Sequence, residues 1–341
     1  MDQVNWYGKP YYSLDAYCKN TFHHKCYKIA LNAHMTCPNR DGTLGTRGCI
    51  FCSAGGSGDF AVSVSSALAS WPADSTNSPV LSDSCQESND DLTDQLKKGI
   101  QLFGDKKVGQ HFIAYFQAFT NTYAPVSYLE KQYTQALDNP LVCGISIATR
   151  PDCLPSPVLS LLKELKEKYP DKFIWIELGL QTIHESTALY IRRGYDLPVF
   201  EKAVSNLAAL SIPVIVHVIL GLPGETDEMM YETISYLNTL EIMGIKLQLL
   251  HILRDTDLAS DYLEGKVLPL SKEHYLTLVI ECIKRLRPDI VIHRVTGDGP
   301  KDLLLAPEFS KNKRDVLNSL HMRMRAEGAI QGMLYRTKPN F

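Results

Sequence analysis

From residue 110 onward, short runs of β-branched and aromatic residues alternate with longer stretches whose apolar positions recur every three or four residues. A strand-like period trading places with a helical one predicts βαβ units and a parallel sheet. The runs that read as strands are 27–32, 112–117, 142–148, 173–180, 214–220, 246–252 and a late one at 290–295. Between them, Leu92, Leu96, Ile100 and Phe103 share a helical face, as do Leu129, Tyr133 and Leu137, and then Val158, Leu161, Leu162 and Leu165. Ser156-Pro157 predicts an N-cap followed by a first-turn proline. Gly244 is expected to close a helix that starts near Thr226, and Ser271 to open one that ends before Pro288.

Six strands alternating with helices predict an α/β fold, a partial (β/α)6 barrel, since the eight units of a closed barrel are not visible. Function is then expected at the C-terminal ends of the strands. The expected partition is an N-terminal extension over 1–26, the partial barrel over 27–288 and a C-terminal capping segment over 289–341. Residues 61–91 break the rhythm with many Ser and Asp and read as a long, mobile insertion, in which Cys85 is incidental. No internal repeat is visible.

Composition narrows the class. With 341 residues, the chain can bury a full core without disulfide staples. Its 45% hydrophobic and 21% charged residues match a soluble globular protein. No apolar run approaches the roughly 20 residues of a membrane span. The N-terminal residues lack the basic and apolar regions of a secretory signal, so a cytoplasmic protein with no membrane partner is expected. A net charge of -3 argues against coating nucleic acid by bulk electrostatics and leaves room for a local basic face. Such a face is expected on a helix carrying Lys311, Lys313, Arg314, His321, Arg323 and Arg325.

Nine cysteines in a reducing compartment point to metal or redox chemistry for any clustered subset. In NAHMTCPNRDGTLGTRGCIFCSAGGSGDF, Cys37 is followed by eleven residues, Cys49, two more and Cys52, all after the first strand. Three thiolates on one glycine-rich loop suit a [4Fe–4S] cluster with one iron left open to a small molecule. Gly42, Gly45 and Gly48 let the loop fold around it. Two alternatives stand beside this: a zinc site completed by His34 or Cys26, and unrelated buried cysteines. Cys18 and Cys26 bracket His23 and His24, but seven intervening residues fit no common short zinc spacing. Cys143, Cys153 and Cys282 read as buried small hydrophobes.

With these phrases in view, the sequence resembles the radical S-adenosylmethionine (SAM) proteins of the bacterial YhcC/YtqA family, related to the Elongator catalytic subunit. The likeness rests on NAHMTCPNRDGTLGTRGCIFC and then, in order, on YFQAFTNTYAP, IATRPDCLP, WIELGLQTIHESTALYIRRGYD and VILGLPGET. It implies a radical SAM partial barrel with a C-terminal extension, a [4Fe–4S] cluster on Cys37, Cys49 and Cys52, and SAM chelating the open iron. SAM would then be cleaved to a 5′-deoxyadenosyl radical, with a flavodoxin or ferredoxin as electron donor. No acetyltransferase region follows, so that second Elongator activity is not expected.

Gln117, Glu177, Gln181 and Arg193 are the candidates to hold SAM, Gln181 through the ribose and Arg193, in the following helix, through the carboxylate, against ordinary structural roles for each, which for Arg193 beside Arg192 is a place on a solvated helix. Gly221 and Pro223, in Ile219-Leu220-Gly221-Leu222-Pro223-Gly224-Glu225, would let backbone lie against adenine, or would serve as a plain strand-to-helix turn. Arg150, Asp152, His217, His251 and Arg294 project from strand ends as candidate substrate or catalytic residues, or as satisfied structural polar groups. The resemblance makes tRNA the leading partner, with removal of the carboxymethyl group of a wobble 5-carboxymethylaminomethyl-(2-thio)uridine as the expected reaction. A radical SAM enzyme of small metabolites or peptides and a non-catalytic iron–sulfur or zinc module are the alternatives.

Overall fold

The computed structural model describes residues 5–56, 92–103, 111–297 and 299–336, so the 61–91 insertion and Cys85 lie outside the described residues. The elements begin with α1 (Leu14–Phe22), β1 (Tyr27–Leu31), α2 (Leu92–Gln101), β2 (Phe112–Phe116), α3 (Val126–Leu137), β3 (Val142–Thr149), α4 (Ser156–Lys168) and β4 (Phe173–Gln181). They continue with α5 (Glu185–Tyr190), α6 (Leu197–Ala209), β5 (Val214–Leu220), α7 (Asp227–Leu237), β6 (Gly244–Leu249), β7 (Ile252–Leu253) and α8 (Asp257–Leu263). The last are α9 (Lys272–Arg285), β8 (Val291–Arg294), β9 (Leu304–Ala306) and α10 (Lys313–Ala326).

Seven strands form one sheet in the order β1-β2-β3-β4-β5-β6-β8, a parallel half-barrel of the expected α/β class. The late strand is its seventh member, set beside β6. A strand covered on both faces can be apolar at every position, which is the pattern of β2, FIAYF, with all five residues buried.

Three local expectations are corrected. The helix begun by Thr226, whose hydroxyl accepts from the Met229 N–H, ends at Leu237, and Gly244 instead opens β6. A Cβ at Gly244 would lie 2.7 Å from the His293 ring and 3.0 Å from the Val291 carbonyl, so its glycine serves close strand approach rather than a helix stop. The run 246–252 is broken after Leu249, and Ile252–Leu253 pairs antiparallel with β9. Ser156 is the first residue of α4 rather than its cap, with no side chain capping that end. Ser271, by contrast, caps α9 by accepting from His274.

Two compact units divide the chain: His24–Gly179 with Arg192–Val214, and Met1–His23 with Leu180–Ile191 and Ile215–Phe341. In the first, Leu31, Leu96, Ile113, Leu129 and Leu137 are fully buried. Phe116 meets Tyr133 edge-on at 5.2 Å, and the Tyr133 hydroxyl donates to the Asn121 carbonyl. Below the strand ends, the Lys28 ammonium lies 2.5 Å from Glu177 Oε1, and Ser146 Oγ donates to the same oxygen. In the second, α1 leads to β8 through the Ile292 N–H on the Tyr12 carbonyl at 2.7 Å, while Gln331 bonds Tyr12, Arg287 and Ile290. No helix among the described residues is long and apolar enough to cross a membrane.

Gly144 pairs with Phe173 across β3 and β4, and a Cβ there would sit 2.4 Å from Phe173 Cδ2 and 2.5 Å from its carbonyl oxygen. Backbone cannot yield as a flexible side chain does, so Gly144→Ala is expected to destabilise the fold by about 1–3 kcal/mol. A lower urea midpoint at unchanged m-value checks this, and an unchanged midpoint refutes it.

Candidate active site

The cysteine loop follows β1 directly and is built from short turns. The Arg40 N–H donates to Cys37 O at 2.8 Å, Gly48 N–H to Asn39 O at 2.7 Å, and Cys52 N–H to Cys49 O at 3.1 Å. Gly48 has φ +71°, and a Cβ on it would meet the Arg40 guanidinium at 2.9 Å. Arg40 needs that space, because its Nη2 donates to the carbonyls of Cys52 and Ser53 at 3.1 and 2.5 Å and locks the second half of the loop.

Asn39 joins this loop to the turn after α5. Its amide donates to the Arg192 carbonyl at 2.8 Å and approaches Cys49 Sγ at 3.5 Å. Arg150 reaches the same turn from the end of β3. Its Nη1 donates to Arg193 O at 3.0 Å, while Nε and Nη2 form a fork with Asp152 at 2.9 and 2.7 Å. Gly194 makes room for both, since a Cβ there would lie 2.8 Å from Asn39 Oδ1. Arg193 is buried rather than carried on a solvated helix, with Nε donating to Tyr195 O at 2.9 Å and its guanidinium 4.9 Å from the Tyr195 ring. The Tyr195 hydroxyl donates in turn to the Gly179 carbonyl at the end of β4.

The three thiols are electrostatically unequal. Cys49 is pulled down to about 6, first by the hydrogen bond from Cys52, then against burial by Asn39 and the charges of Arg150 and Arg40. Cys52 is pushed well above its ordinary value by donating that bond and by burial. No group of three or more His, Cys, Asp or Glu side chains among the described residues is arranged to hold a single metal ion. Cys37, Cys49 and Cys52 would each hold a different iron of a [4Fe–4S] cluster, and a lowered thiol near two guanidinium groups would suit an anionic iron–sulfur core.

The other SAM candidates are placed as follows. Gln117 is buried just past β2, its N–H on the Leu31 carbonyl at 3.4 Å. Glu177 is fully buried, its carboxylate engaged by Lys28 and Ser146. In the second unit, Gln181 ends β4 at φ +68°, with a buried Oε1 that has no hydrogen-bond partner. Gly221 follows β5 at φ +86°, where a Cβ would meet Leu270 at 2.9 Å, and Pro223 lies in the turn that the Glu225 N–H closes on Leu222 O. His217, Lys246 and Arg294 stand in register across β5, β6 and β8. The His251 ring lies where Cβ atoms on Gly297 and Gly299 would fall within 3.0 Å.

Asn39, Arg40 and Tyr195 were not singled out from the sequence, although Asn39 and Arg40 sit inside the cysteine phrase itself. Their signal is adjacency to Cys37. Backbone strain marks the same loops, with non-glycine positive φ at His34, Phe119, Gln181 and Arg192. Cys153 and Cys282 are buried as expected, and burial raises both thiols. Cys143 is not: it is half-exposed and lies 3.9 Å from Cys26.

With fold and loop described, the comparisons assign the class. Residues 42–237 match the Radical SAM superfamily and residues 242–326 the Radical_SAM C-terminal domain. The chain is 40% identical to YtqA of Bacillus subtilis over 96% of its own length and 94% of that protein. It is 30% identical to YhcC of Escherichia coli over 90% of both chains. Its fold resembles that of archaeal Elp3 from Methanocaldococcus infernus, with TM-score 0.62 and 13% identity, covering 90% of this chain and 64% of that longer one. The chain belongs to the radical SAM superfamily, and within it to the family of YtqA and YhcC. It is a radical SAM enzyme, and the family's cofactors are a [4Fe–4S] cluster and SAM.

The unequal thiols give a direct test on metal-free protein. Iodoacetamide reacts with thiolates, so Cys49 is expected to be half-maximally labelled near pH 6 and Cys52 only in strongly alkaline solution. Peptide mass spectrometry across the pH range measures both, and equal labelling at neutral pH contradicts the assigned polarity.

Proposed function

We propose that Cys37, Cys49 and Cys52 ligate the [4Fe–4S] cluster and that the enzyme acts on wobble uridine in tRNA. The observation that carries the ligand assignment is the loop geometry: three thiols on one strand-to-helix connection, braced by Asn39 and Arg40, with the Cys49 thiol lowered by its neighbours. When bound, the cluster and SAM supply one-electron cleavage of SAM and hydrogen abstraction from an unactivated carbon. The chain's own residues bind and orient. Gln181 presents a buried acceptor that a ribose hydroxyl of SAM would satisfy. Arg193 and Gln117 are the remaining polar candidates for SAM, and the Gly221 turn is the backbone candidate for adenine. Arg150 acts by positioning, since its fork on Asp152 fixes the Arg193 carbonyl.

His217, Arg294 and His251 are the residues assigned to substrate. The substrate reading is supported by the ordered sequence resemblance to the Elongator-related family and by α10, where Arg314 and Arg325 are exposed in a chain of net charge -3, while Lys311 falls in the short turn before that helix rather than on it. Other cations of this region are paired, Lys311 with Glu308, Lys272 with Asp315 and Arg323 with Glu327. An anticodon base is single-stranded, so little unstacking energy opposes its entry and a modest basic face suffices. The carboxymethyl methylene of 5-carboxymethylaminomethyl-(2-thio)uridine lies between an amine and a carboxylate, which favours hydrogen loss there; passing one further electron to an acceptor such as an oxidised flavodoxin or ferredoxin would give an imine that water hydrolyses to the aminomethyl nucleoside and glyoxylate. A flavodoxin or ferredoxin supplies the electron, and the compartment is the cytoplasm.

Two measurements test the two halves separately. Anaerobically reconstituted protein with SAM and dithionite is expected to form 5′-deoxyadenosine, and the Cys37→Ala, Cys49→Ala and Cys52→Ala variants to form none; zinc without sulfide in the wild type overturns the ligand assignment. Gln181→Ala is expected to keep its iron and to bind SAM more weakly by about 1–3 kcal/mol. For the substrate, mass spectrometry of tRNA from a deletion strain is expected to show accumulated carboxymethylaminomethyl-uridine. Unchanged wobble nucleosides, with SAM cleavage intact, transfer the chemistry to a small metabolite or peptide.

A further inference from the structure

Far from the cysteine loop along the same strands, the sheet holds a second sulfur site. β2 and β3 lose register between Phe112 and Ile113: Phe112 pairs with Val142 and Ile113 with Gly144, which leaves Cys143 as the extra residue of a β-bulge. A bulge re-aims its side chain. Cys143 Sγ lies 3.1 Å from the Phe112 carbonyl and 3.9 Å from the sulfur of Cys26, the residue before β1. The Cys26 sulfur is also 3.6 Å from Nδ1 of His24, whose ring stacks on His111 at 3.3 Å. Both thiols are half-exposed, whereas Cys18, Cys153 and Cys282 are buried, and no disulfide joins any of the eight described cysteines.

The structure assigns Cys26 and Cys143 as a dithiol that a hydroperoxide converts to a disulfide, a modification site separate from the cofactor loop. A disulfide needs its sulfurs at about 2.05 Å, so closing the pair brings the two sulfurs together from 3.9 Å. The geometry divides the labour. Cys143 is the first nucleophile: its sulfur stands at the bulge 3.9 Å from Cys26, and that neighbour, with the more distant Lys172 ammonium, lowers its thiol against burial. Its sulfur attacks one peroxide oxygen, the O–O bond breaks, and the departing oxygen takes a proton and leaves as water, giving a sulfenic acid. The Cys26 sulfur then attacks the sulfenic sulfur, with His24 placed to take the Cys26 proton. The S–O bond breaks and a second water leaves. In sum, two thiols and one hydrogen peroxide become one disulfide and two waters, the thiols oxidised and the peroxide reduced.

Wild-type holoenzyme, kept anaerobic and then exposed to hydrogen peroxide, alkylated with iodoacetamide and digested without reductant, tests the assignment by peptide mass spectrometry. The expected product is a Cys26–Cys143 linked peptide, lighter by two hydrogens than the paired thiol peptides and lost on treatment with dithiothreitol. In Cys26→Ser protein, Cys143 is expected to stop at a sulfenic acid that dimedone traps. The Cys37→Ala, Cys49→Ala, Cys52→Ala triple variant is expected to form the same link, which removes exchange with cluster thiols as its source. The assignment is overturned if both cysteines are alkylated equally with and without peroxide, if Cys143 links only to Cys37, Cys49 or Cys52, or if the pair copurifies with zinc that blocks oxidation.

Discussion

The active end of this protein depends on a short stretch of backbone, the carbonyls of Arg192 and Arg193, being held against the cysteine loop. Asn39 and Arg150 hold it from opposite sides, one from inside the loop and one from the end of β3. Neither bond is large alone, about 1–3 kcal/mol for a donor on a buried carbonyl. Their value is geometric, because one amide group also approaches Cys49 and one guanidinium also polarises it. Arg192 accepts a left-handed backbone at φ +56° to present its carbonyl, and Gly194 gives up its Cβ for the same reason.

Beneath that end, the sheet carries charge where a parallel sheet is ordinarily apolar. Glu177 has no exposed surface, and Lys28, only 19% exposed, is its partner and also stands 4.7 Å from the Tyr115 ring. A buried pair of this kind contributes little net stability, since desolvation offsets attraction, yet removing either partner strands the other. Ser146 adds a second donor to the same carboxylate oxygen. The network therefore fixes the mutual register of β1, β3 and β4, the strands that carry the cysteine loop, Arg150 and Gln181 into place.

Much of this was legible in the sequence for a specific reason: the strands are nearly continuous apolar runs and the three cysteines sit in one phrase, so local pattern suffices. Contacts made across the fold are different. Arg150 reads as a substrate residue from its strand-end position, and only the tertiary structure shows its fork on Asp152 and its grip on Arg193. Arg193 reads as helical and solvated beside Arg192, but α5 stops at Tyr190 and the turn folds it inward. Gly244 reads as a helix stop because a glycine after a helical pattern has two uses, and the approach of β8 decides between them. Cys143 reads as a buried hydrophobe because a bulge, set by pairing with a strand some thirty residues earlier, leaves no local trace.

A parallel sheet brings all its strand starts to one edge and all its strand ends to the other, which separates the two sulfur sites of this protein. Cys143 and Arg150 lie on the same strand and its exit, seven residues apart. At about 3.3 Å per residue that is roughly 23 Å, many times the reach of a thiol. Cys26 and Cys37 are separated in the same sense by β1. An oxidant that meets the strand starts therefore finds a pair able to close on itself, while the thiols of the cofactor loop stay out of range of exchange with it. The intervening layer is Glu177 and Ser146, both buried, with the half-buried Lys28, the last two each bonded to the Glu177 carboxylate. On the proposed assignments, chain topology would let one domain keep cofactor chemistry at one edge and reversible thiol chemistry at the other.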